Sequence, residues 1–434
     1  MKNRFINSIG LFVSFVLGLS AFASEVPFKY PDIGGQHFSE LLSSRGKVAV
    51  VLGAGPAGLL ASLLLEQNGY FVVLIEQRDQ FSRHNTVSTQ PETLPMLRRL
   101  GVLEEFKKTA IFSKEFHGFI EGGSQVIGLQ GTFMGDLEHV NYSLPMPKAL
   151  NPELWPHYAI EISRLQVMLS EKAILSENIV LLHGKGEILL DESDRKLNSL
   201  RFISSVKDFS GFVIDKPDLI LVAEGAHSTS RDQQLKIPFY PTVLDSLGGG
   251  KEYWCSGVVS LEGVRPNDQL FGHMSLVVNP PAGLAVWGVF RPEYNDLFLN
   301  GQASEKEKPY SDVEDCLQQN AYWILKHEDG FLKTKLPESA KQLRVVQEKS
   351  SKFELTLKMA DRFYSGRNTV LLGDSAGNGS PRGGLGWNLV STVYMDALEK
   401  LVQSSSRKEA LKIYNQRLME IVKHWHFSLK DGIN

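Results

Sequence analysis

Lys47-Val48-Ala49-Val50-Val51-Leu52, followed at once by Gly53-Ala54-Gly55-Pro56-Ala57-Gly58 and then by the helix-forming run from Leu59 to Gln67, decides how this chain folds. The order is strand, G-x-G-x-x-G, helix. The first glycine permits a tight turn, the second lets the backbone approach a pyrophosphate, and the third lets helix and strand pack closely, with the phosphates at the helix N-terminus. A second apolar strand, Phe71 to Ile75, ends in Glu76, 23 residues after Gly53, where an acid accepts hydrogen bonds from a ribose. Gly53, Gly55, Gly58 and Glu76 together predict a dinucleotide site.

Which dinucleotide is read far downstream. Asn368 to Leu372 predicts another buried strand, and it runs into Gly373-Asp374-Ser375-Ala376, where Asp374 reads as a second ribose contact. Next comes Pro381-Arg382-Gly383-Gly384-Leu385-Gly386-Trp387-Asn388, a glycine loop that opens a predicted helix from Trp387 to Val402. Backbone N–H groups at a helix start stabilise negative charge. A flavin needs that at its pyrimidine end and NAD does not, so the predicted cofactor is FAD.

These residues resemble the FAD-dependent, aromatic-hydroxylase-like (group A) flavoprotein monooxygenases. That family carries one G-x-G-x-x-G, a late Gly-Asp and then P-x-G-x-x-G-x-N, which Gly373-Asp374 and Pro381, Gly383, Gly386, Asn388 match in order and spacing. The family's middle motif looks like Asp218 to Arg231, with Glu224 in place of the usual Asp, and Gly377 stands where many members have His. A narrower similarity, to the FAD domain of the MICAL monooxygenases, lies in Glu76-Gln77-Arg78-Asp79-Gln80-Phe81-Ser82-Arg83-His84-Asn85, in Leu97 to Gly101 and in Ile162-Ser163-Arg164-Leu165-Gln166. By that match Glu76 binds the adenosine ribose, while Arg78, Arg83, Asn85 and Arg164 line the pyrophosphate and flavin. A guanidinium fork suits phosphate, although all three arginines also read as solvated surface charges. Thr86 to Gln90 replaces the tryptophan-containing MICAL stretch, and the calponin-homology and LIM domains are absent, so action on actin is not implied.

The resemblance implies an α/β fold: a Rossmann-like, interrupted FAD-binding domain of the glutathione-reductase type with an antiparallel β-sheet substrate domain. The expected FAD-domain segments are 47–115, 151–240 and 356–405, with 116–150 and 241–355 as substrate domain and 406–434 as an amphipathic C-terminal helix carrying Leu411, Tyr414, Leu418, Ile421 and Trp425. Tyr253, Trp254, Trp287 and Phe290 either wall a pocket over the flavin or fill a core. The implied chemistry is reduction of FAD by NADPH or NADH and insertion of one atom of molecular oxygen, through a flavin hydroperoxide, into a small-molecule or exposed side-chain substrate. The activating loop would be Pro381, Gly383, Gly386 and Asn388, with Trp387 and Asn388 against the flavin. A reductase or oxidase without oxygen insertion, or a non-catalytic FAD-binding interaction protein, are the alternatives.

Composition fits this and excludes other classes. The 434 residues are 42% hydrophobic and 22% charged, with two cysteines, which rules out disorder, collagen and disulfide scaffolds. Lys plus Arg number 46 against 49 Asp plus Glu, so no basic field points to nucleic acid. No Cys/His spacing suggests a metal, and His424-Trp425-His426 is an i, i+2 pair that a helix would turn to different faces. Lys2 and Arg4 precede an apolar run from Phe5 to Phe22 that ends in Ala21-Phe22-Ala23 before Ser24. This predicts a secretory signal peptide, 1–23, cleaved after Ala23, and hence a periplasmic or secreted protein with no membrane span in the mature chain; an uncleaved N-terminal anchor is the alternative. In such a compartment Cys255 and Cys316 could close one disulfide or remain two buried thiols. Oligomeric state is not legible.

Overall fold

The computed structural model describes residues 24–30, 35–113, 116–120, 157–193, 196–207, 209–239, 251–264, 274–279, 284–291, 295–303, 312–327, 332–356, 358–379 and 385–431. The expected signal peptide, most of segment 116–150, and Pro381 and Gly383 of the flavin loop lie outside these residues.

The architecture is α/β, built on an eight-stranded mixed sheet. Its order is Phe212–Ile214, Ser199–Ser204, Ile179–Leu189, Phe71–Glu76, Val48–Leu52, Leu219–Val222, Thr369–Leu371, Tyr364–Ser365. The five strands from Ile179–Leu189 to Thr369–Leu371 run parallel, and the pairs at both margins are antiparallel. Val48–Leu52, Phe71–Glu76 and Leu219–Val222 are buried at every position. Such unbroken apolar runs suit strands of a parallel sheet whose two faces are both covered.

Helix Pro56–Gln67 starts with proline at its first turn and buries every residue from Gly58 to Leu65. It is apolar all round because it packs on the sheet and also against helices Ile162–Ile174 and Met395–Gln403. Two terminal segments join the same core. Phe38 and Leu42 of helix Gly35–Ser43 are buried in it, as are Leu411, Tyr414, Leu418 and Ile421 of helix Arg407–Asp431. The Tyr414 hydroxyl donates to the Leu371 carbonyl at 2.8 Å, which fixes the last helix to the last parallel strand.

A second, six-stranded sheet has the order Arg344–Thr356, Lys251–Ser260, Asp296–Ala303, Leu284–Arg291, Met274–Asn279, Phe116–Ile120. Its pairings are antiparallel except at the edge, where Phe116–Ile120 lies parallel to Met274–Asn279. Alternation gives it two distinct faces. Cys255, Val259, Val286, Phe290, Leu297 and Leu299 pack with helix Val313–His327, while Val258, Trp287, Val289 and Phe298 form a cluster on the opposite face with Ala159. Cys255 and Cys316 are fully buried and bridged, tying this sheet to its helix. Ala159 belongs to a small sheet of Thr86–Thr89, His157–Glu161 and Ile111–Ser113, which stands where the two larger sheets meet. No helix among the described residues is long and apolar enough to cross a membrane.

Candidate cofactor and active site

The carboxyl ends of the parallel strands open into a cleft of about 480 Å³. This is where open α/β sheets hold ligands. Leu52 and Gly53 come from one strand end, Ile75 and Glu76 from the next, Ala223 and Glu224 from a third, and Leu372 and Asp374 from a fourth.

The three glycines of the first turn differ in what surrounds them. Gly53 has φ +101°, and a Cβ there would lie 2.6 Å from the Ala223 carbonyl oxygen. At Gly58 a Cβ would lie 1.9 Å from the Gly53 carbonyl oxygen, whereas at Gly55 nothing lies within 4 Å. Gly53 and Gly58 are therefore required by packing, and Gly55 leaves a gap that opens on the cleft. Helix Pro56–Gln67 begins at that gap without a side-chain cap. Its first amides have no intrahelical acceptor and carry the positive end of the helix dipole, so the gap suits a phosphate.

Glu76 is buried at the edge of this turn. Its Oε2 accepts from the Ala54 N–H at 2.8 Å, and its Oε1 accepts from the backbone N–H and Nε–H of Arg78 at 3.0 and 3.2 Å. A carboxylate has about four acceptor positions, so capacity remains for a ribose hydroxyl. Gln166 Nε2 donates to the Ala54 carbonyl at 3.0 Å and braces the turn. Arg78, Arg83 and Asn85 line the cleft. Arg164 does not, although its neighbours Ile162, Leu165 and Gln166 do. Those three share one side of the helix, and residue 164 falls on another at 100° per residue.

Asp374 opens onto the cleft, and the protein crowded around it raises its carboxyl above the ordinary carboxylate range, opposed by the positive charge of Arg83. Gly373, at φ +60°, sits behind the wall against Ala57. Arg231, buried under the ring of Phe239, donates through Nη1 to the Ser375 carbonyl at 3.0 Å and through Nη2 to the Ala226 carbonyl at 2.9 Å. It ties the middle motif to the Gly-Asp segment. The Glu224 carboxylate accepts from Ser228 Oγ at 2.7 Å and from the N–H and Oγ of Ser230 at 2.9 and 3.0 Å, so the longer side chain turns back to close the next turn.

The helix after the flavin loop begins at Leu385, and a π-helical turn, Val390–Tyr394, runs into Met395–Gln403. Gly386, Trp387 and Val390 line the cleft. Asn388 does not. Its Oδ1 accepts from the Gln90 N–H and the Thr93 hydroxyl, both at 2.8 Å, and its Nδ2 donates to the Ser88 carbonyl at 3.0 Å. Trp387 Nε1 donates to Thr89 Oγ1 at 3.0 Å. The polar groups of both residues thus hold the 88–93 segment against this helix.

Above the cleft the second sheet supplies Trp287, Asn300 and Phe353. Of the four aromatics singled out in the sequence, Trp287 alone reaches the cleft; Trp254 and Phe290 are core, and Tyr253 packs at the edge of the disulfide cluster. His227, inside the middle motif, also lines the cleft, as do Asn300, Phe353 and the Gly184-Lys185-Gly186 segment, which carry no motif. The paired glycines within a strand were the one available signal of close packing there.

An uncapped helix over an open glycine, two arginines, a buried acid and apolar walls from Ile75, Leu165 and Trp387 fit FAD. In fold the chain is an α/β protein with the architecture seen in flavin-dependent monooxygenases. Residues 45–153 match the family described as FAD binding domain. Over 56 residues the chain is 48% identical to [F-actin]-monooxygenase MICAL1 of Bos taurus, a match covering 13% of this chain and 5% of that protein. The chain thus matches only about a twentieth of the length of that relative. In fold it is similar to p-nitrophenol 4-monooxygenase from Pseudomonas putida, with TM-score 0.64, 18% identity and 89% of each chain covered. It is also similar to P. aeruginosa PqsL in complex with 2-aminobenzoylacetate, with TM-score 0.61, 16% identity, and 89% of this chain and 97% of that one covered.

Proposed function

We propose that this protein is an exported, NAD(P)H-dependent FAD monooxygenase that inserts one oxygen atom into an organic substrate. The observation that carries the reading is the cleft at the strand ends, where the gap at Gly55 meets an uncapped helix and Trp287 and Asn300 close over the far side. Bound FAD would accept a hydride from NADPH or NADH and activate molecular oxygen. Gly55 and the helix start would hold its pyrophosphate, Glu76 and Asp374 its hydroxyl groups, and Arg78 and Arg83 its negative charge. Gly386 and Trp387 would border the flavin end, where the start of helix Leu385–Leu389 favours developing negative charge. The second sheet would exclude water and shape the substrate site. Export is supported by the signal-like sequence before Ser24 and by the Cys255–Cys316 bridge, since such bridges persist in oxidising compartments.

The test is to purify the protein, add FAD, and follow NADPH and NADH oxidation with and without candidate aromatic substrates while products are weighed by mass spectrometry. A yellow protein, substrate-stimulated oxidation and a product heavier by one oxygen are expected. A protein that cannot be charged with FAD would sink the reading, and peroxide without oxygenated product would favour an oxidase. Fractionation of the native host with tagged protein tests export; a cytoplasmic, uncleaved product would overturn it.

A further inference from the structure

A chain of charged side chains crosses from the cofactor side to the second sheet, none of it lining the cleft. Glu161, the last residue of strand His157–Glu161 and the cap position of helix Ile162–Ile174, is its hub. Its Oε1 pairs with His84 Nδ1 at 2.6 Å and accepts from Ser163 Oγ at 2.9 Å, and its Oε2 faces Arg291 Nη1 at 3.8 Å. Arg291 in turn makes a two-pronged pair with Asp296, both distances 2.6 Å. Arg291 and Asp296 are 4% and 5% exposed, so water screens these charges little.

Each end of this chain leads to the cleft. On one side, the Glu161 carboxylate holds His84, which stands between Arg83 and Asn85, and the Ser163 N–H donates to the Arg83 carbonyl at 3.0 Å and the Ile162 N–H to the Asn85 carbonyl at 2.8 Å, so this junction anchors the loop that brings Arg83 and Asn85 to the cleft. On the other, Arg291 and Asp296 are direct cross-strand partners, and so are Trp287 and Asn300 on the same two strands. Four residues along a strand return to the same face about 13 Å away. The pair that meets Glu161 and the pair that roofs the cleft therefore share one face of the same two antiparallel strands.

Building on the FAD reading above, we propose that Glu161, Arg291 and Asp296 are positioning residues that couple the seating of the Trp287–Asn300 roof to the order of the Arg83–Asn85 cofactor loop. Substitutions at Arg291, which does not line the cleft, then change how FAD is held.

The experiment measures the FAD dissociation constant by flavin fluorescence, and the visible circular dichroism of bound flavin, in the full-length protein and its variants. Arg291→Met combined with Asp296→Leu replaces a buried ion pair by apolar side chains without leaving an orphan charge, a change that folds often tolerate. It should keep the melting temperature, weaken FAD about 10-fold and alter the flavin dichroism. Glu161→Gln should weaken FAD to about the same degree, and the combined variant no more than about threefold further, because both act through one link. Unchanged affinity and dichroism in the Arg291→Met/Asp296→Leu protein would overturn the proposal, as would a combined loss near 100-fold, the product expected of independent sites. If that double variant fails to fold, Arg291→Lys decides. Lysine keeps the charge but cannot fork, so about threefold weaker FAD supports the coupling and wild-type affinity refutes it. Failure of the unmodified protein to bind FAD would instead strike the FAD reading itself.

Discussion

The carbonyl oxygen of Gly53 lies 1.9 Å from the point where a Cβ on residue 58 would stand, while the same construction at Gly55 meets nothing within 4 Å. The two positions of one motif therefore answer to different forces, backbone packing at Gly58 and ligand access at Gly55. Gly58→Val is expected to lower stability by about 3 kcal/mol or more through overpacking against backbone. Gly55→Val should leave the melting temperature of the FAD-free protein nearly unchanged and weaken FAD by about 10-fold or more. Thermal melts with and without FAD check both; equal destabilisation by the two substitutions would refute the distinction.

Asn388→Ala removes three hydrogen bonds between the helix after the flavin loop and segment 88–93. Several buried partners lose their bond at once, so a loss of about 2–4 kcal/mol is expected. FAD should also bind more weakly, because Val87 and Ser88 line the cleft. Denaturant titration gives the first quantity and flavin fluorescence the second.

Burial alone would raise the Glu161 carboxyl. The hydrogen bonds from His84 and Ser163 and the charges of His84 and Arg291 outweigh it and hold the group below the ordinary carboxylate range. A lowered folded value means that the ionised group stabilises the fold at pH above its unfolded value, about 4.3, and that this contribution disappears as pH falls through the folded value. Melting curves of wild type and Glu161→Gln should differ at neutral pH and converge in acid. A constant gap from pH 7 to the acid limit would contradict this.

Cys255 and Cys316 are bridged across 61 residues. A link closing a loop of that length restricts the unfolded chain by about 4 kcal/mol in the chain-entropy estimate. Replacing both cysteines by alanine should lower stability by a few kcal/mol, mainly in the second sheet, which carries Cys255, and in its helix, which carries Cys316. Hydrogen exchange should show earlier opening of Lys251–Ser260 and Val313–His327 than of the parallel sheet; a uniform change over both sheets would argue against a local effect.

Much of the cofactor half was legible because its signals are local. Val48 to Gly58 announces strand, turn and helix within a few residues, and the i, i+3/i+4 pattern of Leu411, Tyr414 and Leu418 announces a packed helix. Helix Gly35–Ser43 was not legible because only Phe38, Leu41 and Leu42 of its nine residues pack on the core, too few to set a periodic pattern. The roof of the cleft was not legible for a different reason. Trp287 faces the cleft and Phe290 the core because they differ by an odd number of positions on one strand, and sequence alone does not say which face of a sheet meets the cofactor. Asn388 sits in a recognisable motif, yet its contacts lie about 300 residues away in the chain, at Ser88, Gln90 and Thr93.

The pairing of Val222 with Leu371, between the last two strands of the parallel sheet, joins residues 149 apart in sequence. Everything between them, including most of the second sheet, must be made before the fourth wall of the cleft exists. Such distant pairings form late, since chain entropy opposes them until other contacts have shortened the loop. The cleft is thus a product of the final stage of folding rather than a platform for it, and its cofactor meets a chain already nearly complete. A bound ligand would then act as a latch on the finished fold, stabilising it in proportion to the logarithm of its concentration. For a chain of this topology, a ligand that binds only the finished fold would raise the folded fraction as its supply rises.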